Sequence, residues 1–431
     1  MAKRENLSLI IYYIVLLLIL SLKTSIGSEP PMILRLAYLG ALILPCILTK
    51  RVSYPAIITL FLTVGHYGFS YSYMPYMTYI YGLLTIVMTL LLYSRYRRLN
   101  DTPPIFLVIF TIYIFIVDFL TGIDQHNAHF PEDVDWCFLM LLCFFYFTVG
   151  NYKKTQAQFD IAFISITIVL SIYFLSYRDV FIQDYDSQSG LERSGWADPN
   201  YFGMVIGMGA LIGVYKILSS GWKHLNFIEK LPYLSAVIIS LPTLLLNASR
   251  GALLSLIVSF VVILLFSKVE FKYKLALTII ASIGILWLYQ NQYFELLMYR
   301  IEADDGTGSS RTVIWEHKLQ LYSQGNILQW LFGYGYTGGF YLTGRALGFH
   351  NDFIAFLVDY GIAGLGMFLY MLFYPLSVVR RNSENHSLVI AIIVYLIIGC
   401  FTLEPFTHAL MMFFAFYFYA LISAKINSKN V

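Results

Sequence analysis

Charge is scarce in this sequence. Asp, Glu, Lys and Arg make up 12% of the 431 residues while 58% are hydrophobic, against about 25% charged and roughly 45–50% apolar in an ordinary soluble domain. A chain of this size with so little charge cannot clothe itself in a water-compatible surface, which excludes a soluble globular enzyme. Cysteine is also scarce. Cys46, Cys137, Cys143 and Cys400 all fall inside apolar tracts, which excludes a disulfide framework or a cysteine-based zinc cluster. No basic run stands out, and the formal net charge is only +3, so nucleic acid is excluded as a partner.

Long apolar runs fill the space that charge leaves empty. Tracts separated by charged or Pro/Gly-containing segments predict helices at about 7–22, 32–49, 55–72, 77–94, 104–122, 136–150, 159–176, 200–218, 231–248, 251–267, 275–290, 353–378, 387–403 and 406–424. At about 20 residues per crossing, this is an all-α polytopic transmembrane bundle of about 12–14 helices. Lys3 and Arg4 precede the first run, which lacks a small-residue cleavage site and reads as an uncleaved first helix. Three stretches follow: transmembrane helices with short loops over 1–290, an extracytoplasmic cap loop over 291–352, and C-terminal transmembrane helices over 353–431, all in one integral membrane domain.

Orientation follows from the 28 Lys and Arg residues, because cytoplasmic loops are enriched in them. With both termini inside, every inner loop is basic, and acidic residues such as Asp184, Asp186, Glu302, Asp304 and Asp305 fall outside. Two outer segments are long, 177–199 and 291–352, and connections beyond about 12–15 residues are usually functional or disordered. The second has aromatic surface enough to pack, including Trp315, Tyr322, Trp330, Tyr334 and Tyr336. Within it, apolar spacing predicts a helix over Ser310–Ser323, with Ser309 or Ser310 as N-cap and Gly325 as the stop.

A basic residue on the acidic side needs a reason, and Arg250 is the first to weigh. It sits at a tight reversal between two helices, where it serves either as an interfacial anchor or as a forked ligand for phosphate. His350 stands where the long loop re-enters the membrane, either as a hydrogen-bonded structural residue or as a general base. Asp359, nine residues on, lies inside an apolar stretch, a costly place for a carboxylate that raises the functional reading. Four other signals carry less. The Gly333–Gly338 run follows no strand, so it is a turn rather than a nucleotide loop. His126 and His129, near Asp124 and Glu132, fit either a zinc site or, the weightier reading, a hydrated acidic loop. Gly203, Gly207, Gly209 and Gly213 permit close helix packing, and Asp118 and Arg35 form a polar contact within the bundle.

Taken in order, Asp198-Pro199-Asn200, Ser249-Arg250-Gly251, Arg311 with Trp315, Gly333-Tyr334-Gly335, and His350-Asn351 leading to Asp359-Tyr360-Gly361-Ile362-Ala363-Gly364 resemble the O-antigen ligase and polymerase superfamily. The resemblance runs from about residue 195 to 370. It implies a helical membrane glycosyltransferase of the GT-C kind in the bacterial inner membrane, acting on the outer face without cofactor or essential metal. The implied substrates are undecaprenyl-diphosphate-linked oligosaccharides, as donor and acceptor, with a chain-length regulator and a flippase as partners beside the lipid bilayer. Carried over by position, Arg250 and Arg311 hold the diphosphate and His350 is the essential histidine. Asp359 stands where the family often has Glu, and Asn200, Asn351 and Asp352 lie in supporting positions.

The chemistry agrees with those assignments. Charge developing on a diphosphate leaving group is stabilised by preorganised guanidinium groups, and an attacking sugar hydroxyl needs a base, which suits His350 oriented by Asp359 or Asp352. Two activities share these motifs, a polymerase joining lipid-linked repeats and a ligase moving finished glycan to lipid A core; the aromatic-rich composition leans toward the polymerase. A flippase would be expected to show two similar halves and a central polar cavity. No internal repeat is visible here.

Overall fold

The computed structural model describes residues 8–15, 105–125, 152–176, 182–186, 191–194, 199–302, 311–336, 338, 348–406 and 410–426. Residues 8–15 are helical. Beyond them run α1 (Ile105–Gln125), α2 (Tyr152–Ser176), α3 (Pro199–Leu218), α4 (Phe227–Asn247), α5 (Arg250–Phe266), α6 (Phe271–Gln290), α7 (Glu295–Glu302), α8 (Arg311–Ser323), α9 (Ile327–Phe332), α10 (Asp352–Val378), α11 (His386–Thr402) and α12 (Leu410–Lys425). A short 3-10 turn at Ser220–His224 joins α3 to α4. The spans expected at 32–49, 55–72, 77–94 and 136–150 lie outside the described residues, as do Arg35 and His129.

Among the described residues five helices are long and apolar enough to cross a membrane, including α3, α4, α6 and α10. The protein is therefore a polytopic helical membrane protein. One non-helical element interrupts it: in the outer segment 177–199, β1 (Ile182–Asp186) pairs antiparallel with β2 (Leu191–Ser194), Ile182 opposite Ser194.

α3 is the central helix, buried on nearly every face. Its glycines make that possible. A Cβ on Gly207 would fall 2.4 Å from the Tyr395 hydroxyl of α11, and one on Gly213 would fall 2.7 Å from Val237 of α4. The helices alternate in direction, as the contacts show. Phe159 of α2 meets Tyr419 of α12 near one end, while Phe174 of α2 meets Phe202 of α3 near the other. The first end carries Lys216, which pairs with Asp160 at 2.6 Å, Lys268, which donates to the Asn382 carbonyl, and Ser220, whose amide donates to Glu384. The starts of α3, α5 and α10 and the ends of α4 and α11 gather at the other end. α6 turns nearly all of its apolar side chains outward, only Leu288 being buried, as a lipid-facing helix does.

Among the described residues the segment after α6 holds α7, α8 and α9, and α8 spans nearly the residues its apolar spacing predicts, the Gly325 amide closing the turn on Tyr322. What fastens this cap to the bundle is a break in α10. Gly361 adopts φ 67, ψ −172, and the helix is interrupted there. A break frees backbone groups, which in an apolar setting must find partners. The Val358 carbonyl accepts from the Tyr334 amide at 3.0 Å, the Asp359 carbonyl from the Gly335 amide at 2.7 Å, and the Tyr360 carbonyl from the Tyr113 hydroxyl of α1 at 2.7 Å. Beyond the break, the amides of Ile362 and Gly364 donate to the hydroxyls of Tyr322 and Tyr113. Asp118 of α1 completes the joint, accepting from the Tyr336 amide at 2.8 Å and the Tyr360 hydroxyl at 3.1 Å.

Glycine is obligatory on both sides of this joint. A Cβ on Gly361 would lie 2.4 Å from Leu331 backbone, and one on Gly333 (φ 78, ψ −163) would lie 2.2 Å from the Asp359 carbonyl oxygen. Both occupy a region of backbone space that is essentially glycine-only, which costs any other residue about 1–3 kcal/mol before the clash is added. Gly361→Ala and Gly333→Ala are each expected to lower the apparent melting temperature of the purified protein by several degrees. Gly366→Ala, whose Cβ would meet nothing within 4 Å, is expected to leave it unchanged or slightly raised; equal loss in all three would refute the joint.

Candidate functional site

The reversal that presents Arg250 takes two residues. Ala248 ends α4 in the left-handed conformation (φ 51, ψ 31), its amide satisfied by the Leu244 and Leu245 carbonyls, and Ser249 immediately opens α5. The Ser249 hydroxyl does not cap α5 but donates to the Asn200 side-chain oxygen at 3.0 Å. Asn247 donates to the Pro199 carbonyl at 2.6 Å, so the start of α3 is stitched to the turn twice. Gly251 faces α11, where an added Cβ would fall 2.5 Å from the Thr402 hydroxyl. Arg250 occupies the first helical position of α5, part-buried. Arg300 of α7 reaches the same turn and donates to the Ala248 carbonyl at 2.5 Å.

The chain returns from the cap through Gly348, Phe349 and His350. Asn351 caps α10, its side-chain oxygen accepting from the Phe353 and Ile354 amides at 3.0 and 3.1 Å. Asp352 is fully buried and accepts from the Phe406 amide at 2.8 Å. His350, part-buried, sits in the left-handed region at φ 50. Non-glycine residues there are uncommon, though His is among the enriched types. The amides of Phe349 and His350 both donate to Glu404, in the turn between α11 and α12. The Glu404 carbonyl in turn accepts from Tyr201 of α3 at 3.3 Å. One short turn therefore ties His350 to the end of the bundle that carries Arg250 and Asn200.

Glu404 is 5% exposed. Burial, then the neighbouring charge of Asp352, pushes its carboxyl up to about 8, eased by the two amide bonds and by Lys318. Lys318 is itself only 1% exposed and lies on α8, its ammonium 4.8 Å from the centre of the Phe349 ring. Burial pulls it below the usual lysine range, opposed by the charges of Asp359 and Glu404. Trp315, one turn earlier, donates to the Phe349 carbonyl at 2.8 Å and meets the Phe401 ring edge-on at 5.9 Å. Arg311, Ile314, Trp315 and Lys318 follow i, i+3, i+4, i+7 spacing and so share one face of α8. Arg311 therefore stands one turn from Trp315 on the face turned toward the His350 segment.

Of the residues singled out from sequence, Asn200, Arg250, His350, Asn351 and Asp352 come together at one end of the bundle, and Arg311 joins from the cap. Asp359 lies farther along α10. It is buried seven residues beyond Asp352, about 10 Å farther along the axis at 1.5 Å per residue. There its carbonyl closes the joint, and its charge acts on Lys318 and Asp118. An apolar cleft of about 340 Å³ lies just past the break, between α1 and the second half of α10, lined by Phe106, Ile109, Ile362, Ala363, Gly366, Met367 and Tyr370.

Three residues escaped the sequence reading. Glu404 carried the same signal as Asp359, a lone carboxylate between two apolar spans, but a turn between helices is an inexpensive place for a charge. Lys318 and Arg300 were two more basic residues on the acidic side, hidden in a loop whose fold was not legible.

Such an assembly is a membrane-embedded protein with arginines, a histidine and buried carboxylates gathered where helix ends meet a folded cap. Residues 235–369 match a family model described as O-antigen ligase. That stretch, about a third of the chain, is similar to the O-antigen ligase family and supports the resemblance to the O-antigen ligase and polymerase superfamily. The matched region holds Arg250, Arg311, His350 and Asp359; Asn200 and Glu404 lie outside it. Comparison with curated proteins finds no match.

The raised carboxyl of Glu404 has a consequence for stability. Between the ordinary carboxyl value and about 8 the folded state holds a proton that the unfolded state releases, so stability falls as pH rises through that window. The apparent melting temperature is expected to drop between pH 6 and pH 9 more in the wild type than in Glu404→Gln. Identical slopes would show that Glu404 is charged throughout.

Proposed function

We propose that this protein polymerises undecaprenyl-diphosphate-linked oligosaccharide repeats into O-antigen or capsular polysaccharide on the outer face of a bacterial inner membrane. The observation that supports this reading is that Arg250 and His350 stand at the same end of the bundle, linked through the Glu404 turn and the end of α11. The opposite end bears Lys268, Arg380 and Arg381. By the positive-inside bias it faces the cytoplasm, which turns the arginine and histidine end outward, where nucleotide sugars are scarce.

In the proposed reaction, Arg250 and Arg311 grip the donor diphosphate as the sugar–phosphate bond breaks and negative charge gathers on the departing lipid diphosphate. The acceptor sugar hydroxyl attacks the anomeric carbon and gives its proton to His350. In this scheme Asp359 also acts through Lys318, on which its charge bears, and through its carbonyl in the joint. The apolar cleft between α1 and α10 suits the isoprenoid tail, which needs lateral access from the bilayer. No residue in this scheme requires a metal.

The description of the matched family favours a second reading, a ligase that moves finished glycan to lipid A core, which uses the same donor chemistry with another acceptor. A deletion strain complemented with wild type or variants separates them. Wild type is expected to restore long surface glycan ladders. His350→Ala is expected to lower chain growth by about 10²–10⁴-fold and Arg250→Ala by about 10²–10³-fold, leaving core with a single repeat at normal membrane levels of each variant. Arg250→Lys is expected to fail too, since a point charge does not reproduce the forked contact. If the deletion instead leaves bare core while lipid-linked polymer accumulates, the ligase reading holds. Normal ladders in both alanine variants would remove these residues from the site.

A further inference from the structure

We infer that Glu404 is the positioning residue for His350, acting as the hydrogen-bond acceptor that holds the Phe349–His350 backbone in the conformation that presents the imidazole. The inference rests on the reading of His350 as the group that takes the acceptor proton. Four observations converge on it. Both consecutive amides end on this one carboxyl group. The conformation they hold is left-handed at His350, one that a side-chain-bearing residue keeps only when its surroundings over-determine it. Gly348 clears the space, since a Cβ there would lie 2.7 Å from the Glu404 Oε2. Finally, Glu404 is itself anchored, its carbonyl held by Tyr201 and the following Phe406 amide held by Asp352.

Successive amides converging on one anion-like acceptor form a small concavity known for binding negative groups. Here a side chain of the same protein fills it, which favours a fixed backbone over a vacant anion site. What the amides need is an oxygen acceptor rather than a charge. Asp352 already crowds the site with negative charge, and Lys318 is the basic side chain whose charge acts on it. A neutral amide oxygen should therefore serve nearly as well as the carboxyl.

The test compares Glu404→Gln, Glu404→Met and Gly348→Ala in the full-length protein, with His350→Ala as reference. Surface glycan ladders in the complemented deletion strain give activity, and hydrogen exchange of the protein in lipid nanodiscs gives backbone protection. Glu404→Met is expected to lose about tenfold or more in amide protection at Phe349 and His350, with α5 and α11 unchanged, and about 10–10²-fold in chain growth, the scale of a 1 Å misplacement. Glu404→Gln is expected to restore both to within about threefold. Gly348→Ala, which disturbs the contact from the other side, is expected to follow Glu404→Met, and it carries the test if the methionine variant fails to accumulate. Full activity in Glu404→Met, or a Gln variant as poor as Met, overturns the proposal while leaving His350 in place. Full activity in His350→Ala overturns the reading beneath it instead.

Discussion

An interrupted helix in an apolar medium must have its broken ends answered by partners from elsewhere. Each unpaired backbone group there costs several kcal/mol, and the break at Gly361 exposes carbonyls on one side and amides on the other. The answer comes from two places, the 334–336 segment of the cap and two tyrosine hydroxyls, Tyr113 on α1 and Tyr322 on α8. The cap is therefore not an appendage. Lifting it would strip α10 of the amides that satisfy its freed carbonyls, so the cap and the bundle are stable together or not at all.

From this constraint the site follows. With the 333–336 segment pinned, α9 and α8 are pinned through Tyr322, which donates to the Trp330 carbonyl at 2.6 Å, and through Tyr334, which donates to the Leu321 carbonyl at 3.2 Å. That fixes the face of α8 carrying Arg311, Trp315 and Lys318 against Phe349. The return strand is then caught from above by Trp315 and from the bundle side by Glu404. Rigidity around His350 thus derives from a joint about two helical turns below it. If the proposed function holds, a site for a flexible lipid-linked glycan gains from keeping its own groups fixed, because a group already in place loses little further freedom on reaction.

Much of this was legible in the sequence, and the reasons for the remainder are physical. Apolar length alone marked α3, α4, α5, α6, α10 and α11 to within a few residues, because the membrane imposes one length on all of them. The Ser249-Arg250-Gly251 and His350-Asn351-Asp352 groups were legible because polar residues at helix ends are rare against such a background. The role of Gly333-Tyr334-Gly335 was not. A glycine pair separated by one residue signals a tight backbone, but which backbone it approaches is a tertiary fact, and its partner lies at Gly361. The same holds for Asp359. Its spacing from His350 suggested a pair, but that its carbonyl would accept from the Gly335 amide at the break in α10 is a tertiary fact. The β1–β2 hairpin was too short and polar to give a periodic signal.

The buried charges obey one further logic. Lys318 stands among Asp359, Glu404 and, through Glu404, Asp352, a basic side chain facing several carboxyl groups. Were all of them ionised, the end of the bundle would hold a net negative cluster directly beneath the place proposed for a diphosphate, and the two would repel. A proton on Glu404 removes one negative charge without giving up the oxygen that the Phe349 and His350 amides require. Lys318 then faces one fewer negative charge. A protonated Glu404 would thus serve both proposals at once, holding the Phe349–His350 backbone while keeping negative charge away from the place proposed for the diphosphate.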